Sequence, residues 1–112
     1  MLETKIMLGK TDIAITPLGI GAWSWGDKIY WQYGRGYAEA DVHAAFDASV
    51  SAGINFFDTA EFYGFGESEK LLAKSARDQR SSIVIATKIF PYPWRLSASR
   101  LIPTLRASLM RL

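Results

Sequence analysis

The sequence contains no cysteine and a single histidine, His43. The first absence excludes a disulfide framework, a thiolate nucleophile and any zinc or iron–sulfur site that requires sulfur ligands. The second matters because His43 falls on the polar side of a helical pattern, opposite Phe46 and one turn before Asp47. It is therefore expected to be a solvated surface residue, which leaves no base for a Ser–His or Cys–His nucleophile. A charge of one sign is also missing. Thirteen Lys and Arg against eleven Asp and Glu leave a formal +2, and the two signs alternate along the chain, so no nucleic-acid partner is expected. The N-terminal stretch MLETKIMLGK carries Glu3 and Lys5 with no long apolar run behind them, so neither a signal peptide nor a membrane anchor is expected. No metal site is expected either, and the location that follows is cytoplasmic.

What remains is 112 residues of globular composition, 49% apolar and 21% charged, enough for one core and one domain over residues 1–112. Two short alternating stretches, 4–8 and 12–15, separated by Gly-Lys-Thr, read as a hairpin that acts as a lid and not as a core. After Pro17, LGIGAW (18–23) is a short apolar run with two glycines, consistent with a buried strand whose backbone something approaches closely. Residues 24–37 hold five aromatics and three glycines with no period and read as a long loop. From Glu39 to Ala52, Val42, Ala45, Phe46 and Val50 recur at helical spacing, and Gly53 stands where a C-terminal cap belongs. INFFDT (54–59) is a second strand. Ser68 is placed to start a second helix, with Leu71, Leu72, Ser75 and Ala76 on one side. SIVIATKI (82–89) is a third strand, and Ser97 or Ser99 opens a third helix in which Pro103 is tolerable in or near the first turn.

A strand–helix unit repeated about every 30 residues predicts an α/β class with a parallel sheet, since parallel strands need crossovers. An open doubly wound sheet and the opening third of a closed eightfold barrel both satisfy the pattern. In both, ligands meet the carboxyl ends of the strands. Three polar residues fall there: Asp58 at the end of the second strand, Lys88 at the end of the third, and Tyr63 just beyond Asp58. A phenol is a weak acid at neutral pH, a nearby ammonium favours its ionised form, and a carboxylate keeps that ammonium charged and fixed. Such a trio could make Tyr63 a general acid. Each residue also has an ordinary structural reading, as a turn cap, a packed ring and a solvated lysine.

Other signals are weaker. Gly19-Ile-Gly21 is half of a dinucleotide fingerprint, but Ser24 stands where the third glycine belongs, which argues against a Rossmann site. GFGES (64–68) is read as a turn and not an anion cradle, because Glu67 and Glu69 would repel the anion. The loop aromatics Trp25, Tyr30, Trp31 and Tyr33 have only Lys28 and Arg35 among them and read as a pocket wall.

Taken together, DTAEFYG (58–64) after GINFF (53–57), IATK (85–88), and PLGIGAW (17–23) behind a hairpin closely resemble the aldo/keto reductase family. The loop WGDKIYWQYGRGY resembles its cyanobacterial and plant branch. The resemblance implies a (β/α)8 TIM barrel preceded by a β-hairpin, of which this chain holds about three β/α units, truncated before the family's histidine and phosphate-binding segments. It implies NADPH-dependent reduction of small aldehydes and ketones. Tyr63 matches the proton donor, Lys88 the cation that favours its phenolate, and Asp58 the lysine's partner and a contact of the nicotinamide ribose. Gly21, Ala22 and Trp23 match the turn beside the nicotinamide, with Trp23 or Trp25 reaching the substrate. A non-catalytic, nucleotide-sensing regulatory subunit on the same barrel is the alternative.

Overall fold

The computed structural model describes residues 4–112; residues 1–3 of the expected domain lie outside the described residues. The chain begins with a hairpin of β1 (Ile6–Met7) and β2 (Ala14–Ile15), antiparallel with Ile6 opposite Ile15. Gly9 takes the positive φ of 58° that closes the turn, and the Thr11 hydroxyl donates to the Leu8 carbonyl at 2.7 Å. Ile6, Met7, Leu8 and Ile13 stay exposed, and Ile15 alone of the paired residues is buried.

Three strands follow in a parallel sheet of order β3 (Ile20–Gly21), β4 (Phe56–Asp58) and β5 (Val84–Ala86). Each is shorter than its apolar run, but the pairing continues past the named ends. The Ala22 N–H donates to the Asp58 carbonyl at 2.8 Å, Thr59 N–H to Ala86, and Glu61 N–H to Lys88. Gly19 supplies the close approach expected of this glycine pair: a Cβ there would lie 2.7 Å from the Phe56 ring, whereas at Gly21 it would meet nothing.

The helices α1 (Glu39–Ser51) and α2 (Glu67–Ala76) cover one face of this sheet. At the start of α1 the Asp41 carboxylate accepts the Ala38 N–H at 2.8 Å; at its end Gly53, with φ 90°, turns the chain back into β4. Val42 and Phe46 of α1, Leu71, Leu72 and Ala76 of α2, and Phe57 of β4 form the core with Ala22, Trp25 and Ile83. Phe46 and Phe57 are fully buried, with ring centroids 5.0 Å apart. Burying such rings is worth roughly 2–3 kcal/mol each.

Two expectations need correction. Helix α2 starts at Glu67, after a turn over Tyr63–Gly66 that is left-handed at Gly64 and Phe65, and not behind Ser68. Gly66, at φ 95°, occupies the cap position, so Ser68 lies inside the first turn with its side chain buried. Helix α3 (Ala98–Arg111) places Pro103 beyond its first turn, where the missing N–H leaves the Ser99 carbonyl without its helical donor. Among the described residues no helix is long and apolar enough to cross a membrane.

Asn55 joins hairpin to sheet. Its Oδ1 accepts the Thr16 N–H at 2.7 Å, its Nδ2 donates to the Ala14 carbonyl at 3.0 Å, and its own N–H donates to the Thr16 hydroxyl at 3.2 Å. Asn55→Ala would strand the Thr16 N–H and Ala14 C=O, so a loss of ~1–3 kcal/mol is expected in urea unfolding, with faster hydrogen exchange confined to 4–16. Unchanged exchange there would contradict this latch.

Candidate functional site

The carboxyl ends of β4 and β5 present Asp58 and Lys88 on the sheet face opposite the helices. Asp58 stands opposite Ala86 in the ladder, so Lys88, two residues further along, projects from the same face. Its ammonium donates to both Asp58 carboxylate oxygens and to the Thr59 carbonyl, each at 2.8 Å. All three protons of the ammonium are thereby committed. Both side chains remain about half exposed, so the pair is worth little as a stabilising salt bridge and is notable for its geometry.

Tyr63 opens the turn that leads into α2, and its ring lies under the lysine, with Nζ 5.2 Å from the ring centroid. This is within cation–π range. The other face of the site is aromatic. Trp23 stacks on Tyr63 with centroids 5.8 Å apart and on Tyr30 at 4.9 Å, and Trp31 meets Trp23 edge-on at 5.7 Å. On the far side Phe62 and Phe90 stack at 4.5 Å, and a cavity of about 250 Å³ opens between Ala60, Phe62, Tyr63, Lys88, Ile89, Phe90 and Pro91. The phenol and the ammonium are the polar groups facing an otherwise apolar recess.

The loop 24–37 holds this wall in place. The buried Asp27 carboxylate accepts the N–H groups of Ile29, Tyr30 and Trp31 at 3.1–3.2 Å. The loop also lies directly on the Tyr63 turn: a Cβ at Gly64 would stand 2.6 Å from the Gly26 carbonyl oxygen, so only glycine fits there. Beyond Lys88, Glu61 accepts the Phe90 N–H at 2.9 Å and pairs with Arg95, whose guanidinium lies 4.7 Å from the Tyr92 ring. This clasp is invisible to a reading of local pattern, because residues so far apart in the chain reveal a pairing only when folded.

The structure brings Asp58, Tyr63, Lys88 and Trp23 together, with Gly21 beside them. It separates Trp25 and Ala22 from the group. Trp25 is packed in the core against Phe57, with centroids 6.3 Å apart, and cannot line a substrate pocket. Ala22 is fully buried, and its N–H and C=O are already engaged by Asp58 and Ser68, so it supports the rim without offering a contact. His43 is also not a free surface residue. Its Nδ1 bonds the Ser75 hydroxyl at 2.6 Å and its Nε2 approaches Glu39 at 3.2 Å, which ties α1 to α2. The hydrogen bonds from Lys74, and then from His43, hold the Glu39 carboxyl below its ordinary value.

A model of the Aldo/keto reductase family matches residues 17–112. The chain is 36% identical to "Pyridoxal reductase, chloroplastic" of Arabidopsis thaliana over 96% of its own length and 32% of that protein. Its fold is similar to the holo form of an aldo-keto reductase from Bacillus halodurans, with a TM-score of 0.77 and 27% identity, covering 96% of this chain and 36% of that one. An aldo-keto reductase from Klebsiella pneumoniae in complex with NADPH matches at a TM-score of 0.70 and 26% identity, covering 88% of this chain and 31% of the other. The chain thus spans about a third of the length of these relatives. The hairpin and the three parallel strands correspond to the opening part of a (β/α)8 TIM barrel.

Two phenols in the loop are raised above their ordinary value of 10.0. Burial is the main cause for both, reinforced by Glu39 and Glu67 at Tyr33 and by Asp27 and Tyr33 at Tyr37. Folding therefore favours the neutral phenols, and Tyr37 uses its proton to reach the Ser24 carbonyl at 2.6 Å. Their stabilisation is complete below about pH 10 and fades as pH rises through the folded-state values. In an alkaline titration, proteolysis within 24–37 should accelerate above about pH 10, and Tyr37→Phe should reduce that step, leaving the part that Tyr33 contributes. A loop equally protected at neutral and strongly alkaline pH would contradict this.

Proposed function

The chain belongs to the aldo/keto reductase family, and on that premise we propose that it carries the proton-donor half of an NADPH-dependent carbonyl reductase, with Tyr63 as the acid. The observation that supports this most is the triply bonded Lys88 ammonium set against the Tyr63 ring. Although half exposed, the ammonium is turned back over a phenol and held there by a carboxylate and a backbone carbonyl.

The rim residues fit the nicotinamide end of the cofactor. Gly21 offers open backbone, the Asp58 carboxylate is accessible enough to accept a ribose hydroxyl, and Trp23 presents a flat exposed edge. When bound, NADPH supplies the hydride. The protein's own contribution is acid catalysis and placement. A carbonyl oxygen entering the recess beside Phe62 and Phe90 would find the Tyr63 hydroxyl as donor, and the Lys88 charge stabilises the phenolate left after the proton moves. Asp58 keeps the ammonium charged and in place. The apolar walls, with Trp23 on one side and Phe62 and Phe90 on the other, favour a planar substrate. This accords with the Arabidopsis relative, named for an aldehyde on an aromatic ring.

The test is a chimera in which residues 1–112 replace the matching third of a characterised relative. Tyr63→Phe should leave NADPH affinity within a few-fold while lowering turnover of an aromatic aldehyde by at least ~10²-fold. Near-unchanged turnover with several aldehydes would overturn the assignment and favour a nucleotide-sensing, non-catalytic role for the same barrel.

A further inference from the structure

Building on the proton-donor reading of Tyr63, Lys88 and Asp58, we infer that Ser68 and Glu69, consecutive residues in the first turn of α2, are positioning residues that hold the three strand ends behind that site. In the sheet, Gly21, Asp58 and Ala86 lie side by side. The next residue of each strand, Ala22, Thr59 or Thr87, projects to the opposite face, toward α2. Each of these three is hydrogen-bonded by Ser68 or Glu69. The Ser68 hydroxyl donates its one proton to the Ala22 carbonyl at 2.7 Å and therefore accepts from the Thr59 hydroxyl, also at 2.7 Å. The Thr87 hydroxyl donates to Glu69 Oε1 at 2.6 Å, and Arg111 Nε of α3 donates to Glu69 Oε2 at 2.5 Å.

Ser68 and Glu69 are both fully buried, and no buried side-chain polar atom among the described residues lacks a partner. A core carboxylate is costly to bury, and apolar residues of similar volume often stabilise as well or better. The arrangement is explained by what its bonds hold. Thr59 follows Asp58 and also lends Lys88 its carbonyl; Thr87 precedes Lys88; Ala22 precedes Trp23. Tyr63 is joined to the same helix end by the short turn Gly64–Phe65–Gly66, whose three residues all take left-handed backbone before α2 begins at Glu67. The same two side chains therefore reference the phenol, the ammonium, the carboxylate and the indole to one helix end. A slip of α2 would separate Tyr63 from Lys88 while leaving each locally intact.

The experiment uses the 112-residue chain and reads the Lys88 ε-methylene protons by NMR. They are inequivalent while the ammonium is held by Asp58 and Thr59, and merge when it swings free. Thr87→Val and Ser68→Ala should merge them, and Thr87→Ser should keep them apart. Glu69→Gln should also keep them apart, because its amide oxygen still accepts from Thr87, although the chain melts earlier once Arg111 loses its charge partner. A merely structural role would instead make the merging follow the melting temperature, with Glu69→Gln affected like the others. That pattern, or inequivalent protons in folded Thr87→Val and Ser68→Ala, would overturn the inference. So would a Thr87→Val chain that loses its dispersed amide spectrum. The measurement reads geometry alone, so a positive result beside an active Tyr63→Phe chimera removes the proton-donor reading and leaves the clamp standing.

Discussion

The lateral register of three parallel strands is the constraint on which the rest of the structure depends. With Gly21 beside Asp58 and Asp58 beside Ala86, side chains alternate in common layers across β3, β4 and β5. A slip of one residue in any strand would exchange its faces. Asp58 would then turn toward the helices and Thr59 toward the open rim. The fully buried Phe57, packed on Phe46, makes such a slip expensive, because it would move an aromatic ring from the core to the other side of the sheet. Core packing by a residue with no chemistry of its own thus fixes where the polar strand ends point.

Polar and aromatic groups then divide by face. On the helix side the polar atoms at the strand ends are buried and consumed by hydrogen bonds to α2. On the rim side the ammonium and carboxylate stay accessible and the rings of Trp23, Tyr30 and Phe62 remain partly exposed. A stability argument alone would bury those rings. Their exposure, beside a loop tied down by Asp27 and pressed onto Gly64, fits the ligand site proposed for this rim. Exposure of a different kind is found on α3, where Leu101, Ile102, Leu105 and Leu109 stay open because the helix meets the rest of the chain mainly through Ser108, Arg111 and Leu112.

Much of this was legible in local sequence. Short apolar runs bounded by glycine and proline mark the three strands, and Gly53 marks the end of α1 through its backbone. Asp58 and Lys88 were accessible because each stands at a strand end, a position that periodicity can locate, and Tyr63 because it follows Asp58 by only five residues. What escaped was decided by partners distant in the chain. Trp23 and Trp25 are nearly equivalent as sequence, yet one lies on the rim and the other in the core, depending on the turn at Ala22. Ser68 has the composition of a helix cap, but the left-handed Gly66 takes that position and frees Ser68 to bond the strands. His43 has a polar-side address, and only the docking of α2 supplies Ser75 as its neighbour. Pro103 was tolerable near a helix start, and the true start at Ala98 places it deeper. A buried Glu69 was the least visible, since its justification, Arg111, lies 42 positions away.

The chain's own register carries the Lys88 ammonium onto the Tyr63 phenol. A nuclear Overhauser spectrum of the 112-residue chain tests it most directly. Cross-peaks are expected between the Lys88 side-chain protons and the Tyr63 ring, together with contacts between Phe57 and Phe46 that report an intact core. Core contacts present without any between Lys88 and Tyr63 would contradict it, because the fold would then stand while the site it is said to build did not form.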